Sequence, residues 1–488
     1  MKFAGSVLWT LSISMVLGCI PLSGEQQPNI VLILCDDLGI GDVQSYNPDL
    51  GKIKTPHIDA LAAEGMSFVD AHSGSSVCTP TRYGLLTGRY SWRTSLQKGV
   101  VAGFQPCLIA EDRPTIGSFL QSQGYHTAIV GKWHLNMRFM DPQDESIELA
   151  GGPLKFTPPV GATSPDGPVH RGFDYFYGIH HARSMKAIIQ QNVVTKHDDE
   201  INFLPSLQQK SVAYIEERAS DQQPFMLYLP LGSPHTPIVP TAEWQGKSGL
   251  GAYADFVMQT DHVIGKVLQA LQDNGLSENT LVILSSDNGC SRAAKIGELK
   301  KQGHHVSAGF RGSKADIWEG GHRIPLIVRW PGHVEPDSKS DQLVGLTDMF
   351  ATIADCLQVA VPENSCEDSV SFLPALQGKP VTAARHGIIH HSINGHFAYR
   401  TKDWKLVLAK ASGGWSAPKE NDAPQDWPPA QLYSMTNDAA EQRNLYLIQS
   451  EVAAELLQHL EHDVKNGRTT PGPPSANDID NINLWKSR

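Results

Sequence analysis

The stretch Asn29-Ile30-Val31-Leu32-Ile33-Leu34-Cys35-Asp36-Asp37 decides the fold. Residues 29–34 form an unbroken, branched and largely apolar run, the pattern of a strand covered on both faces, and it ends on adjacent carboxylates. Similar runs stand at 127–130, 225–229, 281–284 and 325–328. Between them lie helical patterns at 56–64, 80–86, 115–123, 206–218, 255–272 and 347–357. In the fifth, Phe256, Val263, Val267 and Leu271 recur at helical spacing, and Asn274-Gly275 follows as a stop. Strands alternating with helices predict an α/β sandwich around a large mixed, mostly parallel sheet.

Polar clusters stand directly after four of the runs: Asp36-Asp37, Lys132 with His134, His235, and Asp287-Asn288. Ligands of open α/β sheets bind beyond the carboxyl ends of the strands, so these clusters are expected to meet in one cleft. Asp36, Asp37, Asp287 and Asn288 offer only oxygen donors, which points to a hard cation, Ca²⁺ or Mg²⁺. A single such pair more often caps a helix or makes a turn; the four together at strand ends read as a metal site.

Beyond about residue 375 the texture changes. Short strands, expected to be exposed, read at 385–391, 396–399 and 404–408, followed by a Gly/Pro/Trp-rich loop at 412–429 and a helix at 452–460. The division is therefore a leader at 1–24, a catalytic domain at 25–374, and a small antiparallel subdomain at 375–488 whose tail at 468–476 is expected to be mobile. The leader has Lys2, an apolar stretch at 3–20 and polar residues at 23–27, the form of an export signal cleaved near Gly24. This predicts a periplasmic or secreted protein. Val16-Leu17-Gly18-Cys19 supports a second reading, a lipoprotein whose acylated Cys19 would be its membrane contact. No later stretch is long and apolar enough to span a bilayer.

The net charge of -11, from 51 acidic and 40 basic residues, argues against nucleic-acid binding. It also disfavours gripping a long polyanion and suits an enzyme that engages a chain end. The seven cysteines form no CxxC pair; Cys356 and Cys366 read either as a bridge around a loop or as two free thiols.

Cys78 lies in Ser76-Val77-Cys78-Thr79-Pro80-Thr81-Arg82, just ahead of a helix whose first turn Pro80 suits. A helix N-terminus favours a thiolate there, and a buried turn cysteine is the competing reading. The longer pattern, Cys78-x-Pro80-x-Arg82 followed by Leu86-Thr87-Gly88-Arg89, resembles the signature of the type I sulfatases of the alkaline-phosphatase-like superfamily, whose cysteine is oxidised to formylglycine. Asp36-Asp37 is similar to that family's first metal pair and Asp287-Asn288-Gly289 to its second. Gly131-Lys132-Trp133-His134, Pro234-His235-x-Pro237, and Lys314 with Glu319-Gly320-Gly321-x-Arg323-x-Pro325 resemble its remaining catalytic elements. The resemblance covers about residues 28–330 with no incompatible residue at a family position, and it fits the small C-terminal region more loosely.

The resemblance implies hydrolysis of a sulfate ester by formylglycine hydrate made from Cys78. It implies one Ca²⁺ held by Asp36, Asp37, Asp287, Asn288 and the modified Cys78. One geminal hydroxyl attacks sulfur and the second lets the sulfated residue collapse. Lys132 and Lys314 then clamp sulfate oxygens, Arg82 orients the hydrate, His134 serves the collapsing hydroxyl and His235 the leaving oxygen, with Lys314 as a further donor. His304 and His305 are candidates for contacts to substrate hydroxyls or a neighbouring sugar, against a plain exposed loop pair. Arg311, Glu319 and Arg323 are expected to brace the Lys314 loop. The run Leu86 to Thr94 and Gly131-Lys132-Trp133-His134-Leu135 resemble N-acetylgalactosamine-6-sulfatase-like enzymes, which implies a sulfated carbohydrate, first the 6-sulfate of galactose or N-acetylgalactosamine, as substrate. A formylglycine-generating or anaerobic maturation enzyme is the implied partner. The competing readings are a phosphate or phosphonate ester hydrolase of the same superfamily and a non-catalytic exported carbohydrate-binding protein.

Overall fold

The computed structural model describes residues 27–101, 103–150, 157–221, 223–381 and 385–486. The leader and Cys19 lie outside the described residues. The strands are β1 Asn29–Asp36, β2 Met66–Phe68, β3 Ala71–His72, β4 His126–Lys132, β5 Tyr175–Ile179, β6 Ala187–Gln190, β7 Val193–His197, β8 Phe225–Pro234, β9 Thr280–Ser286, β10 Leu326–Arg329, β11 Ser338–Ser340, β12 Val344–Gly345, β13 Ile388–His391, β14 Phe397–Arg400, β15 Trp404–Val407 and β16 Gln431–Ser434. The helices are α1 Pro56–Ala63, α2 Cys78–Thr87, α3 Ile116–Ser122, α4 Phe203–Arg218, α5 Ala252–Asp273, α6 Ile296–Lys301, α7 Glu319–His322, α8 Met349–Cys356, α9 Leu373–Leu376 and α10 Ser450–Lys465.

Ten strands form the main sheet in the order β11-β2-β10-β9-β1-β8-β4-β5-β6-β7. Its centre, β9-β1-β8-β4-β5, is parallel. Along β1, Ile30, Leu32 and Leu34 enter one core while Val31, Ile33 and Cys35 enter the other, so an unbroken apolar run is what the position requires. The first core is closed by residues of α2, α3, α8 and α9, the second by residues of α1, α4 and α5. The run at 325–328 forms β10, which lies antiparallel to β9; the chain preceding β10 therefore arrives at the same sheet end as the strand-end clusters. α5 stops at Asn274, and Gly275 follows at φ +68°, a left-handed position suited to glycine.

β13 to β16 make a separate antiparallel sheet. These strands are buried, which corrects the expectation of exposure: α10 and Trp92 cover one face, and Ile317 and Trp318 of the large domain cover the other. The tail at 468–476 lies against the body of the fold. Thr469 N bonds Glu367 O at 3.1 Å, and Arg89 reaches Ala476 O at 3.0 Å and Asp478 at 2.9 Å. Cys356 and Cys366 are free thiols. Among the described residues no helix is long and apolar enough to cross a membrane.

Candidate active site

Because β9, β1, β8 and β4 are neighbours and run the same way, Asp287, Asp36, His235 and Lys132 come together at one sheet end. The backbone turns sharply there: Asp37 has φ +67° and His134 φ +57°, left-handed values that cost strain in non-glycine residues and cluster at functional sites. Gly289 is required by packing, since a Cβ there would lie 1.9 Å from Gly320 O.

Cys78 opens α2 and is 2 % exposed. Its Sγ lies 3.6 Å from Lys314 Nζ, which bonds Asp37 Oδ1 at 2.5 Å. Lys132 Nζ bonds Asp36 Oδ2 at the same distance. Asn288 Nδ2 donates to Asp37 Oδ1 at 2.7 Å, and Asp37 N donates to Asp287 Oδ1 at 3.3 Å. Arg82 is fully buried and grips Asp287 Oδ2 through Nε and Nη2 at 3.0 and 2.8 Å, while its Nη1 reaches Lys132 O at 2.9 Å. The structure thus brings Cys78, Arg82, Lys132, His235, Lys314, Asp36, Asp37, Asp287 and Asn288 into one centre, with His134 beside it on the Lys132 loop.

Three oxygens in that centre, Asp36 Oδ1, Asp37 Oδ2 and Asn288 Oδ1, are buried without a hydrogen-bond partner. Unpartnered buried acceptors are costly, and three oxygens left so in one centre fit a hard cation. Asp36, Asp37, Cys78 and His235 each place one ligand atom within 4.8 Å of the others.

Burial would push the Asp36 carboxyl up, but Lys132 and its other cationic neighbours hold it well below the usual carboxylate range. Burial drives the Cys78 thiol up to about 12, and Lys132 and Lys314 offset this only in part. The thiolate expected from the helix N-terminus is therefore corrected: desolvation outweighs it, and the unmodified side chain is a neutral thiol at physiological pH. His235 is pushed down to about 4, chiefly by burial. Its Nδ1 bonds Thr236 O at 2.5 Å, and its Nε2 lies 3.7 Å from Asp37 Oδ2.

His304 does not join the centre. His304 is fully buried, its Nδ1 accepting from Lys52 N at 3.0 Å and its Nε2 bonding Asp42 Oδ1 at 2.8 Å, so it braces the loop after β1 rather than facing substrate. His305 is half-buried, and its backbone bonds Leu50 O at 2.9 Å and Asn47 Nδ2 at 3.0 Å. Arg311 stacks 3.6 Å over Trp318, and Glu319 pairs with Arg323 at 2.9 Å and Lys405 at 3.0 Å. His181 was missed: its ring meets His134 edge-on at 4.2 Å. Its signal was the same as for the other clusters, a polar pair after a strand, but Gly178 interrupts the apolar run of β5.

Two further histidines make stability depend on pH. His180 and His391 are pushed down to about 4 by burial. Their folded values lie below the unfolded one, so the stability they give is present above about pH 6.5 and is lost as pH falls towards 4. The difference in denaturant stability between wild type and the paired change His180→Asn and His391→Asn, followed at stepped pH, should fall by up to about 2.7 kcal/mol per pH unit in that window, for the two protons these histidines take up on unfolding. A difference that stays flat from pH 7 to 4.5 would contradict this.

Cys78 beside Lys314, with buried carboxylates and three unpartnered oxygens around them, makes one polar centre at the carboxyl ends of the parallel strands. The chain belongs to the sulfatase family: the family described as Sulfatase matches residues 28–359, and it is a sulfuric ester hydrolase. A second family, described as N-sulphoglucosamine sulphohydrolase, C-terminal, matches residues 313–469. The chain is 31 % identical to an N-acetylgalactosamine-6-O-sulfatase of Bacteroides thetaiotaomicron, over 90 % of this chain and 93 % of that one. It is 30 % identical to arylsulfatase A of Bos taurus, over 92 % and 89 %. A solved structure described under the metabolism of multiple glycosaminoglycans by Bacteroides thetaiotaomicron superposes with a TM-score of 0.75 at 28 % identity, covering 90 % of this chain and all of that one.

Proposed function

We propose that this protein removes sulfate from a carbohydrate, first the 6-sulfate of galactose or N-acetylgalactosamine, as an exported enzyme whose Cys78 is matured to formylglycine. The observation that carries this is the placement of Cys78 Sγ 3.6 Å from Lys314 Nζ, at the edge of the cage with three unpartnered oxygens. The neutral thiol is a poor nucleophile where it stands, so the position gains its chemistry from oxidation by a maturation enzyme. The similarity to the Bacteroides N-acetylgalactosamine-6-O-sulfatase supports the sugar and the position.

Asp36, Asp37, Asp287 and Asn288 are the residues to hold Ca²⁺, with the matured Cys78. A bound cation would draw charge off the sulfuryl oxygens. Lys132 and Lys314 then hold two of those oxygens and neutralise the charge that builds as the ester bond breaks. The two-lysine arrangement suits a monoanionic sulfate ester better than a dianionic phosphate. Arg82 fixes the nucleophile's surroundings through Asp287 and the Lys132 backbone. His235, at the open side, serves the leaving oxygen, and His134 takes the proton of the second hydroxyl. The negative charge of bound substrate opposes the desolvation that now keeps His235 neutral.

His235→Ala should therefore lower kcat by about 10²–10⁴-fold on a sugar sulfate, whose alkoxide leaves poorly, and far less on an activated aryl sulfate. Equal losses on both would remove His235 from the leaving-group role. Stripping divalent ions with EGTA should lower the thermal midpoint as well as activity, and Ca²⁺ should restore both more fully than Mg²⁺. The deciding experiment is mass spectrometry of the Cys78 peptide with aldehyde trapping, on protein from a host with the maturation machinery. A trapped aldehyde supports the reading; an intact thiol under those conditions overturns it.

A further inference from the structure

A second arc of residues borders the centre and takes part in no step above. Ala315 N bonds Ser76 O at 2.8 Å, Lys314 N bonds Cys290 O at 2.9 Å, and Ile393 N bonds Ala315 O at 3.1 Å, so the loops carrying Cys78, Asn288 and Lys314 are stitched to the small sheet. The stitching continues outward: Gly99 N bonds Ile393 O at 2.6 Å, Asn394 Nδ2 reaches Gly413 O at 3.1 Å, and Trp415 N reaches Asp316 Oδ1 at 2.9 Å. A Cβ on Gly414 would lie 2.2 Å from Ala315 O, so only glycine lets this loop approach so closely. Trp415 is thus fixed one residue beyond a backbone contact with the Lys314 loop.

The side chains on this arc are cationic and aromatic. Arg292, exposed and four residues after Asn288, holds its guanidinium 4.7 Å over the half-exposed ring of Trp415. Exposed Lys98 and half-buried Lys486 converge on Gly395, where a Cβ would meet Lys98 Cβ at 3.4 Å and Lys486 Cε at 3.3 Å. Burial and the neighbouring Lys98 pull Lys486 below the ordinary lysine range, and no carboxylate offsets them. Among the described residues no ion pair engages Arg292, Lys98 or Lys486, and Glu420 of the same loop is engaged by the amides of Lys410, Ala411 and Gly413 at 2.9, 2.9 and 3.1 Å. In a chain of net charge -11, three cations left without acidic partners on loops stitched to the Lys314 loop call for an anionic ligand.

We infer that this rim recognises the sugar adjoining the sulfated one when that neighbour carries an anionic group. Trp415 with Arg292 offers a flat face and a hydrogen-bonding edge for the neighbouring ring, and Lys98 with Lys486 supplies point charges for its substituent. This rests on the carbohydrate sulfatase reading and adds a requirement one sugar further out.

The test compares kcat/KM of the matured enzyme on a monosaccharide 6-sulfate and on three disaccharides whose neighbouring sugar is neutral, carboxylated or itself sulfated. The wild type should prefer the two charged disaccharides, with the preference shrinking as salt rises. The paired change Lys98→Ala and Lys486→Ala should raise KM about tenfold on those two and leave kcat and the monosaccharide unchanged. A drop for only one charged disaccharide identifies which anion the rim takes. Trp415→Ala should raise KM on all three disaccharides and spare the monosaccharide. Unchanged disaccharide KM values, or equal losses on the monosaccharide, overturn the rim. If aryl sulfate is cleaved and no sugar sulfate is, the carbohydrate reading fails instead.

Discussion

Cys78→Ser should lower kcat by at least about 10³-fold on aryl and sugar sulfates alike, with the thermal midpoint nearly unchanged. Serine is smaller than cysteine and fits a site that is already buried, so the fold tolerates it. Its single hydroxyl, however, lacks the second oxygen through which a sulfated nucleophile releases its product, so any attack stops at a stable sulfate ester. Cys78→Ala should fall as far and controls for maturation of serine itself. Activity within tenfold of wild type in both variants would show that Cys78 is not the nucleophile position.

How much of this was legible in the sequence follows from where each residue sits. β1 was readable because a strand buried on both faces has no polar interruption until it ends, and its end is where Asp36 and Asp37 stand. β4, β8 and β9 share that property, so their clusters could be expected to converge before any distance was known. β5 was less legible, because Gly178, whose absent Cβ makes room for Gly131 O, breaks its run; His181 was lost with it. His304 shows the opposite limit. A histidine pair between catalytic motifs looks like substrate contact, and only the Lys52 amide and Asp42, distant in the chain, reveal that both ring nitrogens are in use. The small sheet misled for a related reason: its strands are short, and their burial comes from α10 and from Ile317 and Trp318, contacts without local periodicity. The state of Cys78 inverted a local rule, since a helix N-terminus lowers a thiol's pKa by less than complete burial raises it.

Arg82→Met should destabilise the protein by about 3–5 kcal/mol in chemical denaturation, besides abolishing turnover. The guanidinium is the main compensation for the buried Asp287 carboxylate, through bonds of 3.0 and 2.8 Å, and it lies 3.6 Å from Asp36 Oδ2. Methionine fills much of the same volume, so packing loss is small and the measured cost is that of leaving carboxylates buried beside one another. Arg82→Lys keeps a charge but cannot bond Asp287 through two nitrogens while also reaching Lys132 O, and should recover part of the stability and little of the activity. Divalent cation separates the two roles of the arginine. If the carboxylates form the cation site, saturating Ca²⁺ stabilises Arg82→Met by RT ln(1 + [L]/Kd), and by more than it stabilises wild type, because the mutant cage is the more negative. A stability loss under about 1 kcal/mol, or one that Ca²⁺ leaves untouched, would mean that Arg82 does not compensate the cage, and that Asp287 is held protonated instead.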